Sequence, residues 1–160
     1  MGVAATVVVQ TEDFSLQAAY DRLRAAHGAD IGAIAAFVGL VRDRNPHGEE
    51  GTIATLTLEH YPGMTEKSIE AIVAQAGERW PLLGAEVVHR VGTLAPEDQI
   101  VMVVVASGHR DAAFASAEFI MDYLKTDAVL WKHEANDSGS TTWVQSTDLD
   151  RARARDWDAS

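Results

Sequence analysis

The chain has 160 residues, 47% apolar and 23% charged, with a net charge of −11 and no cysteine. That length suits one domain with a real core, and the acidic balance argues against a broad nucleic-acid surface. Without cysteine there are no disulfides, thiolate nucleophiles, zinc ribbons or iron–sulfur clusters, so any sulfur chemistry draws its sulfur from a partner or a substrate. The opening MGVAATVVVQTED has no basic n-region, and the longest apolar run, 100–106, is far too short for a bilayer. A cytoplasmic protein with no membrane segment is expected. A single domain over 1–160 is expected too, with a core of about 14–143 and an Arg-rich tail over 148–160.

Residues 5–9 read as a first strand. Ser15 suits the cap of a helix whose apolar face is Leu16, Ala19, Tyr20 and Leu23, with Gly28 ending it. Alternating Ile31, Ala33, Ala35 and Phe37 predict a strand over 31–38. The stretch 42–51, RDRNPHGEEG, has no hydrophobic period and reads as an exposed loop long enough to suspect function. A strand over 53–60 follows, then a turn at Tyr61-Pro62-Gly63. Thr65 is the expected cap of a helix to Arg79, with Ile69, Ile72, Val73, Ala76 and Trp80 on one face and Pro81 stopping it. Strands over 87–92 and 100–107 are expected to form a hairpin around Pro96-Glu97-Asp98. A third helix over 110–124 turns Ala113, Phe114, Ala117, Ile120, Met121 and Leu124 inward. Residues 129–134 read as extended, with Lys132 and Glu134 on one face and Trp131 and His133 on the other. A polar turn over 136–140, a short strand over 141–146 and a frayed Arg-rich helix complete the chain. Strands and helices mix without regular βαβ alternation, which predicts an α+β fold with a mainly antiparallel sheet.

Only three lysines occur, and Lys125 and Lys132 both lie in FIMDYLKTDAVLWKHE (119–134), among apolar and aromatic residues. An ammonium held near apolar surface loses hydration, and its pKa falls. An ordinary surface lysine instead buries its stem and keeps its head wet. Lys125 falls at a helix C-terminus, where the dipole stabilises a cation for structural reasons alone. Lys132 has no such explanation, and Glu134 on its face can orient it or carry a proton. Ser107-Gly108-His109-Arg110, at a strand-to-helix junction, suits an anion such as phosphate; Asp111 capping the helix and Arg110 pairing on the surface is the plainer alternative. Arg42 either closes over an anion or is a solvated loop residue. No GxGxxG or P-loop is present, and histidines at 27, 47, 60, 89, 109 and 133 have no metal-binding spacing. His60 and His89 read as satisfied sheet residues.

Three stretches carry a family resemblance: AFVGLVRDRN (36–45), LTLEHYPGMTEKSIEAIVAQAGERWPL (56–82) and VVHRVGTLAPEDQIVMVVVASGHRDAAFASAEFIMDYLKTDAVLWKHE (87–134). Together they closely resemble the large, catalytic subunit of molybdopterin synthase, the MoaE family, over about 14–143. The resemblance implies an α/β-hammerhead fold and a sulfurtransferase of molybdenum cofactor biosynthesis. It implies insertion of two sulfurs, as a dithiolene, into cyclic pyranopterin monophosphate. The sulfur would arrive as a thiocarboxylate on the C-terminal Gly-Gly of a ubiquitin-like small subunit, at each end of a homodimer of large subunits, with no metal or redox cofactor. By residue, the family's catalytic lysines match Lys125 and Lys132, and its substrate-binding groups match Arg42, His109, Arg110 and Glu134. His133 stands where the family often has another basic residue, and the resemblance implies that it binds substrate, as do Lys125 and Lys132. Leu40 replaces a lysine frequent in the family, the one feature favouring a non-catalytic paralogue that only binds the ubiquitin-like partner. A Schiff-base lyase using Lys132 is a third reading, ranked below both.

Overall fold

The computed structural model of the chain describes residues 3–43, 53–136, 141–144 and 148–159. Sequence expectations for 44–51, for 137–140 and for 145–146 lie outside the described residues. The elements in chain order are β1 (Ala4–Gln10), α1 (Leu16–His27), a 3-10 turn (Gly28–Asp30), β2 (Ala33–Leu40), β3 (Ile53–His60), α2 (Met64–Arg79), β4 (Leu82–Arg90), β5 (Gly92–Leu94), β6 (Gln99–Ser107), α3 (Arg110–Leu124), β7 (Leu130–Asn136), β8 (Thr141–Val144) and α4 (Asp148–Asp158). They build two four-stranded sheets, ordered β1-β4-β6-β2 and β5-β3-β7-β8. Every pairing is antiparallel except β1 with β4. The α+β, mainly antiparallel expectation holds.

The first sheet is apolar on both faces. Ala85, Val87, Val101, Val103 and Val105 pack against Ile69, Ile72 and Val73 of α2 and Ala113, Ala117 and Ile120 of α3. On the other face Val88, Met102, Val104 and Ala106 meet Ala19 and Leu23 of α1. A sheet covered on both sides has no polar parity, which is why β4 and β6 read as nearly unbroken apolar runs. It also explains β2, where Ala35 joins one cluster while Ile34 and Val38 join the other. Phe37, on the edge strand β2, is 40% exposed.

Three other expectations are corrected. The predicted β-hairpin is interrupted: β4 and β6 do pair antiparallel, but β5 leaves between them to join β3 in the second sheet. The α2 cap is Gly63, not Thr65. Gly63 has φ 85°, a conformation glycine tolerates, and its N–H donates to Glu66 Oε2. In α3, Phe114 is exposed; the buried arc runs through Ala113, Ser116, Ala117, Phe119, Ile120, Tyr123 and Leu124, wide enough to face the sheet and its neighbouring helices together.

The Arg-rich tail is not frayed. In α4, Ala154 is buried, and the Trp157 ring meets Trp80 edge-on at 5.5 Å and Phe119 at 5.6 Å. Trp157 Nε1–H donates to Asp122 Oδ2 at 2.7 Å, its carbonyl accepts from Arg79, and the Tyr123 hydroxyl bonds Asp158. Apolar residues are sparse here, so periodicity is faint; the helix is held by one indole and its polar partners. Trp157→Ala is expected to lower stability by about 3 kcal/mol in urea unfolding, by removing a packed aromatic and orphaning Asp122.

Candidate active site

Pairing register fixes which side chains share a face. In the second sheet Leu58 of β3 stands opposite Lys132 of β7 and Gly92 of β5, and Leu56 stands opposite Glu134 and Leu94. Residues directly opposite across an antiparallel pair project from the same face. Leu56, Leu58 and Leu94 are buried in one cluster with Val41 and Val91, with Leu130 packed against it. Lys132 and Glu134 therefore project from β7 on the apolar, inward face of the second sheet. His133 projects outward, with its Nε2 3.9 Å from Glu59 Oε1, and Trp131 is exposed on that side. The alternation expected from sequence holds, and it separates His133 from the lysines.

The surroundings of Lys132 lower its pKa. Burial is the main cause, and the neighbouring Lys125 charge adds to it; Asp150 and Glu134 oppose. Lys125 is the C-cap residue of α3 and is exposed, close enough to Lys132 for its charge to act on that ammonium. Asp150, in the first turn of α4, was not predicted; its signal lay inside a tail read as frayed.

His89, expected to be a satisfied sheet residue, is one, in β4. It is 5% exposed, and its Nδ1–H donates to the Arg90 carbonyl at 2.9 Å. That bond fixes the neutral tautomer, with the lone pair on Nε2. Burial pushes its pKa down to about 4; the Arg90 carbonyl works against this, and the charge of Lys132 adds to it. The imidazole stays neutral chiefly because it is buried, and a second cation near the partly buried Lys132 is disfavoured as well.

Arg42 follows Val41, which is buried in the cluster that holds Leu58; Val41 exchanges backbone bonds with Asp98 and Glu97. Arg42 thus sits near the Gln99 end of β6, where Leu40 pairs with Gln99. Leu40, two residues earlier, is 53% exposed. His109 and Arg110 lie at the other end. His109 is the N-cap residue of α3, its N–H bonded to Ser107 Oγ, and β2 passes so close that a Cβ on Gly32 would lie 2.2 Å from the Gly108 oxygen. The fifteen residues of α3 span about 22 Å, and the nine of β6 about 27 Å. Within one chain, then, Lys125, Lys132, Glu134 and Arg42 gather toward one end of the first sheet. The His109–Arg110 pair stands at the opposite end and does not share their site.

Comparison with known proteins fits this geometry. The family model described as "MoaE protein" matches residues 9–127. The chain belongs to the MoaE family. A Vibrio cholerae relative named molybdopterin synthase catalytic subunit is 51% identical over 152 residues, 95% of this chain and 97% of that one. The solved Burkholderia ambifaria MoaE protein is 50% identical, with a TM-score of 0.80 over 96% of this chain and 98% of that one. The crystal structure of molybdopterin synthase from Staphylococcus aureus matches at 26% identity and a TM-score of 0.73, over 85% and 94% of the two chains.

His89 gives this MoaE-family chain an acid-sensitive stability. Unfolded, His89 takes up a proton near pH 6.5; folded, only near pH 4. Between those values the unfolded state binds more protons, so stability falls with pH, by roughly 3 kcal/mol once both are passed. His89→Gln is expected to flatten the stability curve between pH 6.5 and 4 in urea titrations.

Proposed function

We propose that the chain is the catalytic subunit of a molybdopterin synthase, a cytoplasmic sulfurtransferase that uses 1–160 as a single domain. It converts cyclic pyranopterin monophosphate to molybdopterin with sulfur from the C-terminal Gly-Gly thiocarboxylate of a ubiquitin-like small subunit. The observation that carries this reading is the meeting of Lys125 with a desolvated Lys132 in a protein without cysteine. An anionic thiocarboxylate is attracted by two ammonium groups, and a lysine of lowered pKa gives up its proton more readily than an ordinary one. Lys125 and Lys132 draw in the thiocarboxylate, stabilise developing negative charge and move protons as sulfur attacks and the phosphate ring opens. Glu134, on the same face, orients Lys132 and favours its charged form. Arg42 holds phosphate at the rim. His133 projects from the far face and has no part in this scheme. Two rounds, each with a fresh small subunit, deliver two sulfurs.

His109 and Arg110 fit this scheme in one way. A phosphate-binding pair about 22 Å from Lys125 along α3 serves the reaction when it reaches into the site of a second copy. A homodimer then builds each site from both chains. The test is complementation. Lys132→Ala and Arg110→Ala are each expected to lose turnover with thiocarboxylated partner and pyranopterin by about a hundredfold or more. Co-refolded in equal amounts, they should recover about a quarter of wild-type activity, since half the dimers carry one intact site of two. No recovery, with dimers formed, removes the shared site. Wild-type turnover by Lys132→Ala removes the catalytic role of that lysine.

A further inference from the structure

The segment between the two lysines has no regular structure of its own. Lys125 ends α3 and Lys132 is the third residue of β7, so the reach from one ammonium to the other depends on how 126–129 is held. One residue in that link, Val129, has both backbone groups bonded to side chains of another element. Its carbonyl accepts from Thr65 Oγ1 at 2.6 Å, and its N–H donates to Ser68 Oγ at 3.2 Å. The two side chains form a closed set. Thr65 Oγ1 also accepts the Tyr61 N–H at 2.9 Å, and the Ser68 hydroxyl donates to the Thr65 carbonyl at 2.7 Å. Thr65 is fully buried. Its expected task of capping α2 belongs to Gly63 and Glu66, which leaves its hydroxyl free to face across the fold. A buried hydroxyl that donates to one chain segment and accepts from another has one acceptable position, so the strength of this contact lies in its geometry.

We infer that Thr65, with Ser68, is a positioning residue for the lysine pair: it clasps the Val129 peptide to the start of α2 and so fixes how deeply Lys132 sits and how near it comes to Lys125. Neither residue touches the lysines. They act through the backbone three residues before Lys132. The clasp explains why HYPGMTEKS, which offers no reactive group beside the lysines, is tied to them in space: Thr65 and Val129 are 64 residues apart in sequence. The alternative, a hydrogen bond serving stability alone, predicts loss of stability without any change at Lys132.

The inference rests on the functional reading for its meaning, so its test includes a readout that needs no catalysis. With three lysines in the chain, carbon-13 labelling of the lysine ε position gives three side-chain signals, and Lys132→Arg assigns one of them. Thr65→Val removes the hydroxyl at nearly constant volume, Thr65→Ser restores it, and Ser68→Ala loosens only the N–H side. In Thr65→Val the Lys132 signal is expected to titrate at higher pH than in wild type. Turnover should fall by about tenfold to a hundredfold through kcat more than KM, as small misplacements do. Thr65→Ser should restore both, and Ser68→Ala should fall between. If Thr65→Val proves too unstable, Ser68→Ala carries the same measurement. A Lys132 signal and kcat unchanged in the folded variants overturn the clasp. A moved signal in Thr65→Val beside full activity of Lys132→Ala keeps the clasp and overturns the functional reading instead.

Discussion

The structure turns on one awkward placement: a lysine on the inward face of a sheet. Lys132 shares its face with Leu58 and sits across from it in register, so its side chain is partly buried beside apolar packing. Such a group raises the free energy of the fold while it is charged, and the chain tolerates it through nearby acids, Glu134 and Asp150. Lys125 does the reverse, adding a second cation where one is already costly. Two lysines arranged to disfavour each other's charge are poor structural elements. They suit a site that must attract an anion and release protons.

Helix α3 acts as a ruler between two kinds of chemistry. Its C-terminus places Lys125 toward the end that holds Lys132, and its N-terminus places His109 and Arg110 at the other, about 22 Å away. Nothing in the packing lets the helix bend enough to join them, since Ala113, Ala117 and Ile120 seat it firmly on the first sheet. In the proposed scheme each end of the helix supplies half of a site, and pairing of two chains would complete it and tie activity to assembly.

Much of this was legible in the sequence. The bounds of α3 and the opposite faces of Lys132 and His133 followed from period alone, because a well-packed helix and a strand in a two-faced sheet repeat cleanly. The failures have physical causes. Phe37 and Phe114 looked inward because apolarity marks burial only on average; one sits on a sheet edge and the other just off a helix's buried arc. β5 escaped notice because three residues cannot show a period. α4 looked frayed because its hold is an indole and a few polar partners. In the site, charge and type drew attention to the lysines, Arg42 and the His-Arg pair. His89, Asp150 and Thr65 matter through where other elements place them, and only folded contacts reveal that. That a helix and a strand separate Arg42 from the His-Arg pair within one chain was not legible, since spacing along a chain says nothing about their length.

The account comes down to where the terminus of the ubiquitin-like partner arrives. Zero-length carbodiimide coupling of its C-terminal glycine carboxylate to this protein, followed by peptide mass spectrometry, reads that location directly. The expected adduct is on Lys125 or Lys132. An adduct confined to Lys67 or to the N-terminal amine would contradict the account.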